Sequence, residues 1–229
     1  MKDLSLTQEY FICAVNDRGK LSNLNLDRTV CFIASGVLEL QLAGCIYVEN
    51  AGKLPAAMAG KRIRVTDALP EEKAYLRPFY DYLNQEKPVK VEKIVEDYGY
   101  AFSEKRTNAL VASVGESLVQ DGLAQAGKTG PLGGVKSYLP SKEALNRVID
   151  LVRSELLEEG EVTEDIAALV ILLEKSGVIR EYFSRHEQKE MKEKLSVLVK
   201  SPEGKLVKEM VEDVQNMLAA MAVLLTVYS

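Results

Sequence analysis

Tryptophan is absent from this chain of 229 residues, and histidine occurs once, as His186. A serine-type triad or a histidine-built metal centre needs partners that one histidine cannot supply. His186 stands in the charged run SRHEQKEMKEK and reads as a solvated surface residue. Cysteine is scarce too. Cys13, Cys31 and Cys45 are odd in number, lie in apolar surroundings and show no CxxC spacing. They read as small buried thiols of a reducing compartment, not as a disulfide or zinc framework. No stretch resembles a transmembrane span, which needs roughly 20 apolar residues. The opening MKDLSLTQEY lacks the apolar core of a signal peptide. An excess of positive charge is missing as well. The net charge of −5 argues against a whole surface that attracts nucleic acid or anionic lipid, though it leaves room for a local basic patch. These absences predict a cytoplasmic protein, peripheral where it meets a membrane.

Apolar patterning is what the chain does have. Hydrophobic residues make up 47% and charged residues 28%, the balance of a folded globular protein. The run 166–173, IAALVILL, is apolar at every position. A helix there has no wet face and belongs inside the protein. Thr163 as N-cap, Glu164 and Asp165 in the first turn and Gly177 beyond the end complete a central helix.

Other segments should be amphipathic and lean on it. Leu4, Tyr10, Phe11 and Ala14 mark a first helix capped at Ser5 or Thr7, followed by a turn at 16–19. A second helix covers 27–43 and stops at Gly44. Short strands follow at 45–48 and around Ile63 and Val65. Pro70 opens a helix that runs to Asn84, and another spans 103–120. The glycine-rich run QAGKTGPLGGVK reads as a long hairpin or loop. Helices at 142–159 and 185–198 flank the central one. The last, 205–228, is nearly all apolar over 217–227 and reads as a second buried helix. The expected fold is mainly α: one domain over 1–229, a helical array around the buried central helix, with short strands and a β-hairpin.

Candidate chemistry is thin. Gly122, Gly127, Lys128 and Thr129 fit the spacing of a phosphate-binding loop. That mechanism needs a strand before the loop and a helix starting at the Lys-Thr. Here a helix precedes and Gly130-Pro131 follows, so a hairpin is the better reading. Most acids fall on helix first turns and exposed faces. Glu39 and Asp97 are less easily explained. Glu39 lies within an apolar helix, where a buried, hydrogen-bonded acid is the alternative to an ordinary one. The segment 89–139 orders two helices before a hairpin, as a winged helix does. Lys93, Lys105, Arg106, Lys128 and Lys136 would face phosphates. Its reading helix, TNALVASVGESLVQ, has little to grip a base edge. Nucleic acid is therefore disfavoured as a partner.

The order of pieces resembles the Golgi phosphoprotein 3 family. SGVLELQLAGCIYVEN is similar to that family's early helix-turn-strand motif. LSLTQEYFICAVNDRGKLS is similar to its first helix and turn. Residues 118–139 resemble its protruding hairpin, EDIAALVILLEKSGVIREYF its central apolar helix and NMLAAMAVLLTVYS its C-terminal helix. The resemblance implies a divergent member from outside the eukaryotes, with no catalysis, no cofactor and no metal. It implies peripheral membrane binding through phosphatidylinositol 4-phosphate, or a protein partner. The family's lipid pocket uses a tryptophan and arginines, and its hairpin tip inserts bulky apolar residues in lipid. The corresponding positions here are Leu24, Ile33, Asn108 and Val111, with Leu132 and Val135 at the hairpin tip. None of these can supply arginine's bidentate bonds to phosphate. Arg28, Lys105 and Arg106 are the nearby candidates for an anion or lipid contact.

Overall fold

The octapeptide IAALVILL lies dry. In the computed structural model, which describes residues 3–21, 26–50, 60–99, 104–129, 134–202 and 204–228, every residue from 166 to 173 is at most 4% exposed. Ten α-helices and five short strands occur among the described residues. The helices are α1 (Leu6–Ala14), α2 (Leu26–Leu42), α3 (Arg77–Leu83), α4 (Val91–Gly99), α5 (Glu104–Gln120), α6 (Lys142–Leu156), α7 (Glu164–Lys175), α8 (Ile179–Tyr182), α9 (Arg185–Lys200) and α10 (Lys205–Tyr228). The octapeptide forms most of α7. The strands are β1 (Ile46–Asn50), β2 (Lys61–Val65), β3 (Val89–Lys90), β4 (Ala124–Thr129) and β5 (Val135–Pro140).

Local chemistry sets the ends of α7. The Thr163 side chain accepts the Ile166 N–H and donates to Glu155. Beyond Ser176, Gly177 adopts φ 76°, a left-handed conformation that a residue with a Cβ resists. Packed round α7 are α1, α2, α6, α8 and α10. The mainly α architecture therefore follows from one helix that has no solvent face.

The strands form two antiparallel sheets, ordered β1-β2-β3 and β4-β5. In the first, Ile46 pairs with Val65 and Ile63 with Val89. In the hairpin, Ala124 pairs with Pro140 and Thr129 with Val135. Gly122 and Lys128 of the apparent phosphate loop fall on a helix-to-strand turn and on β4. No helix begins at Lys128, and the nucleotide geometry is not formed.

Two expectations need correction. The helix expected from Pro70 to Asn84 is split. A 3-10 segment, Glu71–Leu76, precedes α3, and Lys73 within it is non-helical at φ −106°, ψ 19°. Pro78 has no N–H to continue the hydrogen-bond ladder, and it sits in the first turn of α3, where that loss is harmless. The C-terminal helix is buried on one stripe only. Val207, Met210, Val214, Met217 and Met221 face α2, α4 and α7, whereas Val223 is 61% and Leu225 40% exposed. A helix laid on a core wets its outer side whatever residues stand there. No helix among the described residues is long and apolar enough to cross a membrane.

Candidate functional site

Three places were named by the sequence: the family-aligned pocket positions, the basic residues near α5 and the hairpin. The structure treats them differently. Ile33 is wholly buried in α2. Asn108 is exposed on α5 and Val111 is half-buried. Leu24 lies outside the described residues, as does Leu132 at the hairpin tip. Val135 is the first residue of β5. No cation occupies the described pocket positions.

Arg28 is committed elsewhere. Its guanidinium forms an ion pair with Glu181 and donates to the Ala14 carbonyl at 3.2 Å. With a side chain only 13% exposed, it ties α2 to α1 and α8. Lys105 and Arg106 are both exposed in the first turn of α5.

Arg106 belongs to a cleft of about 390 Å³ between α3, β3, α4 and α5, lined also by Tyr82, Gln85, Lys87, Pro88, Lys90, Lys93 and Asp97. Its floor is aromatic. The Tyr82 ring is parallel to Phe79 and meets Tyr98 edge-on at 5.1 Å between centroids. Arg106 lies over Tyr82 at 4.9 Å. Such stacking holds the guanidinium by its face and leaves its N–H edge available. Tyr82 donates to Asp97 Oδ2 at 2.9 Å, and Lys93 donates to Asp97 Oδ1 at 2.9 Å. Burial first, and the Asp97 carboxylate second, push the Tyr82 phenol well above its ordinary value. Asp97 is thus a structural acid that orders two walls of the cleft.

Sequence reasoning found Lys93 and Arg106 but missed Lys87, Lys90 and Tyr82. The run Lys87-Pro88-Val89-Lys90 carries a faint signal, since proline between two lysines favours extended backbone that splays them. Only the pairing of β3 with β2 places them opposite Arg106. That same pairing departs from the winged-helix order, because β3 joins β2 and not the hairpin. On the outer side of α5, Glu116 is exposed and takes the charge of Lys136 at 2.7 Å.

Glu39 is resolved in favour of burial. At 2% exposure it accepts the Thr7 N–H at 2.9 Å, pairs with Lys73 at 3.0 Å and accepts the Tyr75 hydroxyl. One carboxylate therefore joins α1, α2 and the 3-10 segment. Neighbouring Glu9 is 5% exposed. Desolvation chiefly, helped by Asp165 and Glu39, raises its pKa to about 8. The three cysteines are buried. Burial pushes the Cys31 thiol up to about 12 and Cys13 higher still. Neither thiol is available as a nucleophile at neutral pH. His186 is 80% exposed beside Glu190.

No curated protein matches the chain. The profile of the Golgi phosphoprotein 3 (GPP34) family matches residues 6–217. That match spans nearly the whole chain, so this mainly helical protein, wrapped round its dry central helix, belongs to the Golgi phosphoprotein 3 family.

Proposed function

We propose that the chain is a non-catalytic peripheral-membrane or adaptor domain, built on the family's lipid-binding scaffold without its phosphate ligands and working at a cytoplasmic surface. One observation carries this reading. Ile33, which the resemblance puts at an arginine position of the family, is packed in the core at 0% exposure; Val111 and Asn108 fall at the other two on the same resemblance. Each charge-assisted bond lost is worth about 1.5–3 kcal/mol. Losing several removes useful affinity for a phosphoinositide at that pocket.

A nucleic-acid role for residues 89–139 has less support. The exposed side of α5 offers Asn108, Ala109 and Glu116 beyond its basic first turn, and β3 is paired away from the hairpin. Flotation tests the membrane reading. Phosphatidylcholine vesicles carrying phosphatidylinositol 4-phosphate should bind the protein no better than vesicles carrying the 3-phosphate isomer. Micromolar binding that selects the 4-phosphate would sink the claim that the pocket has lost its ligands.

A further inference from the structure

The cleft on α3, β3, α4 and α5 reverses the charge of the molecule around it. The chain carries −5 overall, yet the cleft is lined by Lys87, Lys90, Lys93 and Arg106 against one carboxylate, Asp97. Lys93 is shared between Asp97 and Glu96 and brings little net charge. Lys87, Lys90 and Arg106 have no acidic partner within ion-pair distance among the described residues.

A further cation, outside the lining itself, neighbours Lys90. Arg62 lies directly across the β2–β3 ladder from Lys90. Its buried Nε–H has no hydrogen-bond partner. Glu49 faces Arg62 across the other ladder, but its ion pair is with Arg64 at 3.7 Å. Like charges opposite each other in a sheet are destabilising. An anion seated beside Lys90 and Arg106 relieves that repulsion by neutralising Lys90. The aromatic stack beneath Arg106 fixes its donor edge before any ligand arrives, so less freedom is lost on binding.

We infer that this cleft binds a phosphomonoester. A monoester carries nearly two negative charges at neutral pH and three acceptor oxygens, which matches three unpartnered cations better than the single charge of a diester. The site is separate from the family-aligned positions Ile33, Asn108 and Val111, none of which lines it. It therefore goes beyond the function proposed above and does not depend on it. The floor of stacked rings and the lysine-rich rim offer charge recognition, not a hydrogen-bond pattern specific to one inositol isomer.

Titration with inorganic phosphate, followed by backbone amide shifts, tests the site on the full chain. Saturable changes centred on Tyr82, Lys90, Lys93 and Arg106 are expected. The double variant Lys90→Gln, Arg106→Gln should weaken binding roughly tenfold or more. Both residues are exposed, so the fold is left intact. Phosphatidylcholine vesicles doped with phosphatidic acid identify the source. Flotation that the double variant abolishes marks a lipid-borne headgroup, and phosphate binding without flotation marks a soluble ligand. Either result supports the site. Shifts that do not saturate, that map elsewhere or that persist in the double variant overturn it. So does salt-dependent binding of duplex DNA, weakened by the double variant, in the absence of phosphate saturation; that outcome assigns the cleft to a diester backbone.

Discussion

Replacing Glu9 with glutamine is expected to flatten most of the pH dependence of stability. Glu9 is 5% exposed in α1 and packs toward α6 and α7. Its pKa is raised from the ordinary 4.5 to about 8, by desolvation first, then by Asp165, Glu39 and Glu155, with Arg147 opposing. At neutral pH the folded chain therefore holds this carboxyl protonated, while the unfolded chain releases the proton. Folding then takes up a proton, and stability falls as pH rises. The contribution is fully present below pH 4.5 and is lost by about pH 8. Each tenfold difference in proton affinity is worth about 1.4 kcal/mol, so the loss is on the order of 4 kcal/mol. That is a large part of a typical stability of about 5–15 kcal/mol. Glutamine copies the neutral acid without the charge. Urea unfolding at about pH 5 and about pH 8.5 should show the natural chain weakening and Glu9→Gln holding steady. A small residual slope remains from Asp165 and Asp213, both raised by burial. Equal slopes in the two proteins would mean that Glu9 is charged in the fold.

Removing the ring of Tyr138 is expected to be as damaging. Tyr138 is 1% exposed on β5 and locks the hairpin to the helical body at two glycines. A Cβ on Gly115 of α5 would come within 2.2 Å of its ring, and a Cβ on Gly19 within 2.6 Å of its backbone carbonyl carbon. Its N–H donates to the Gly19 carbonyl at 2.9 Å. Its hydroxyl donates to Glu116 at 3.2 Å. Tyr138→Ala empties that slot and should cost about 3–5 kcal/mol. Tyr138→Phe keeps the ring and loses one exposed-side hydrogen bond, about 1 kcal/mol. Gly115→Ala attacks the same fit from the other side by overpacking, at about 1–3 kcal/mol. Urea midpoints rank the three variants. Trypsin, acting at exposed Lys128 and Lys136, should cut the Tyr138→Ala hairpin far faster. Unchanged cleavage would show that the hairpin is held by its strand pairing alone.

Family membership and the proposed loss of the phosphate ligands are compatible with one another. The match over residues 6–217 spans the segments that build the apolar scaffold, from α1 through the dry α7 into α10. A scaffold of this kind is set by packing and tolerates change at surface positions. Ile33, wholly buried in α2, stabilises the fold by burial and is not available to a ligand.

What the sequence determined by itself is the local grammar. Eight apolar residues in a row required a helix with no wet face. Thr163 and Gly177 set its ends, and the glycines from Gly127 onward announced a hairpin, because caps and turns act through hydrogen bonds and backbone torsions within a few residues. What only the tertiary structure decided are contacts between distant segments: Glu39 joining Thr7, Lys73 and Tyr75, Arg106 lying on Tyr82, and Lys90 brought opposite Arg62 by a two-residue strand. Periodicity reports which face of a segment avoids water, not which segment covers it. The apolar end of α10 misled for that reason, and the basic cleft stayed hidden until four elements came together to form its walls.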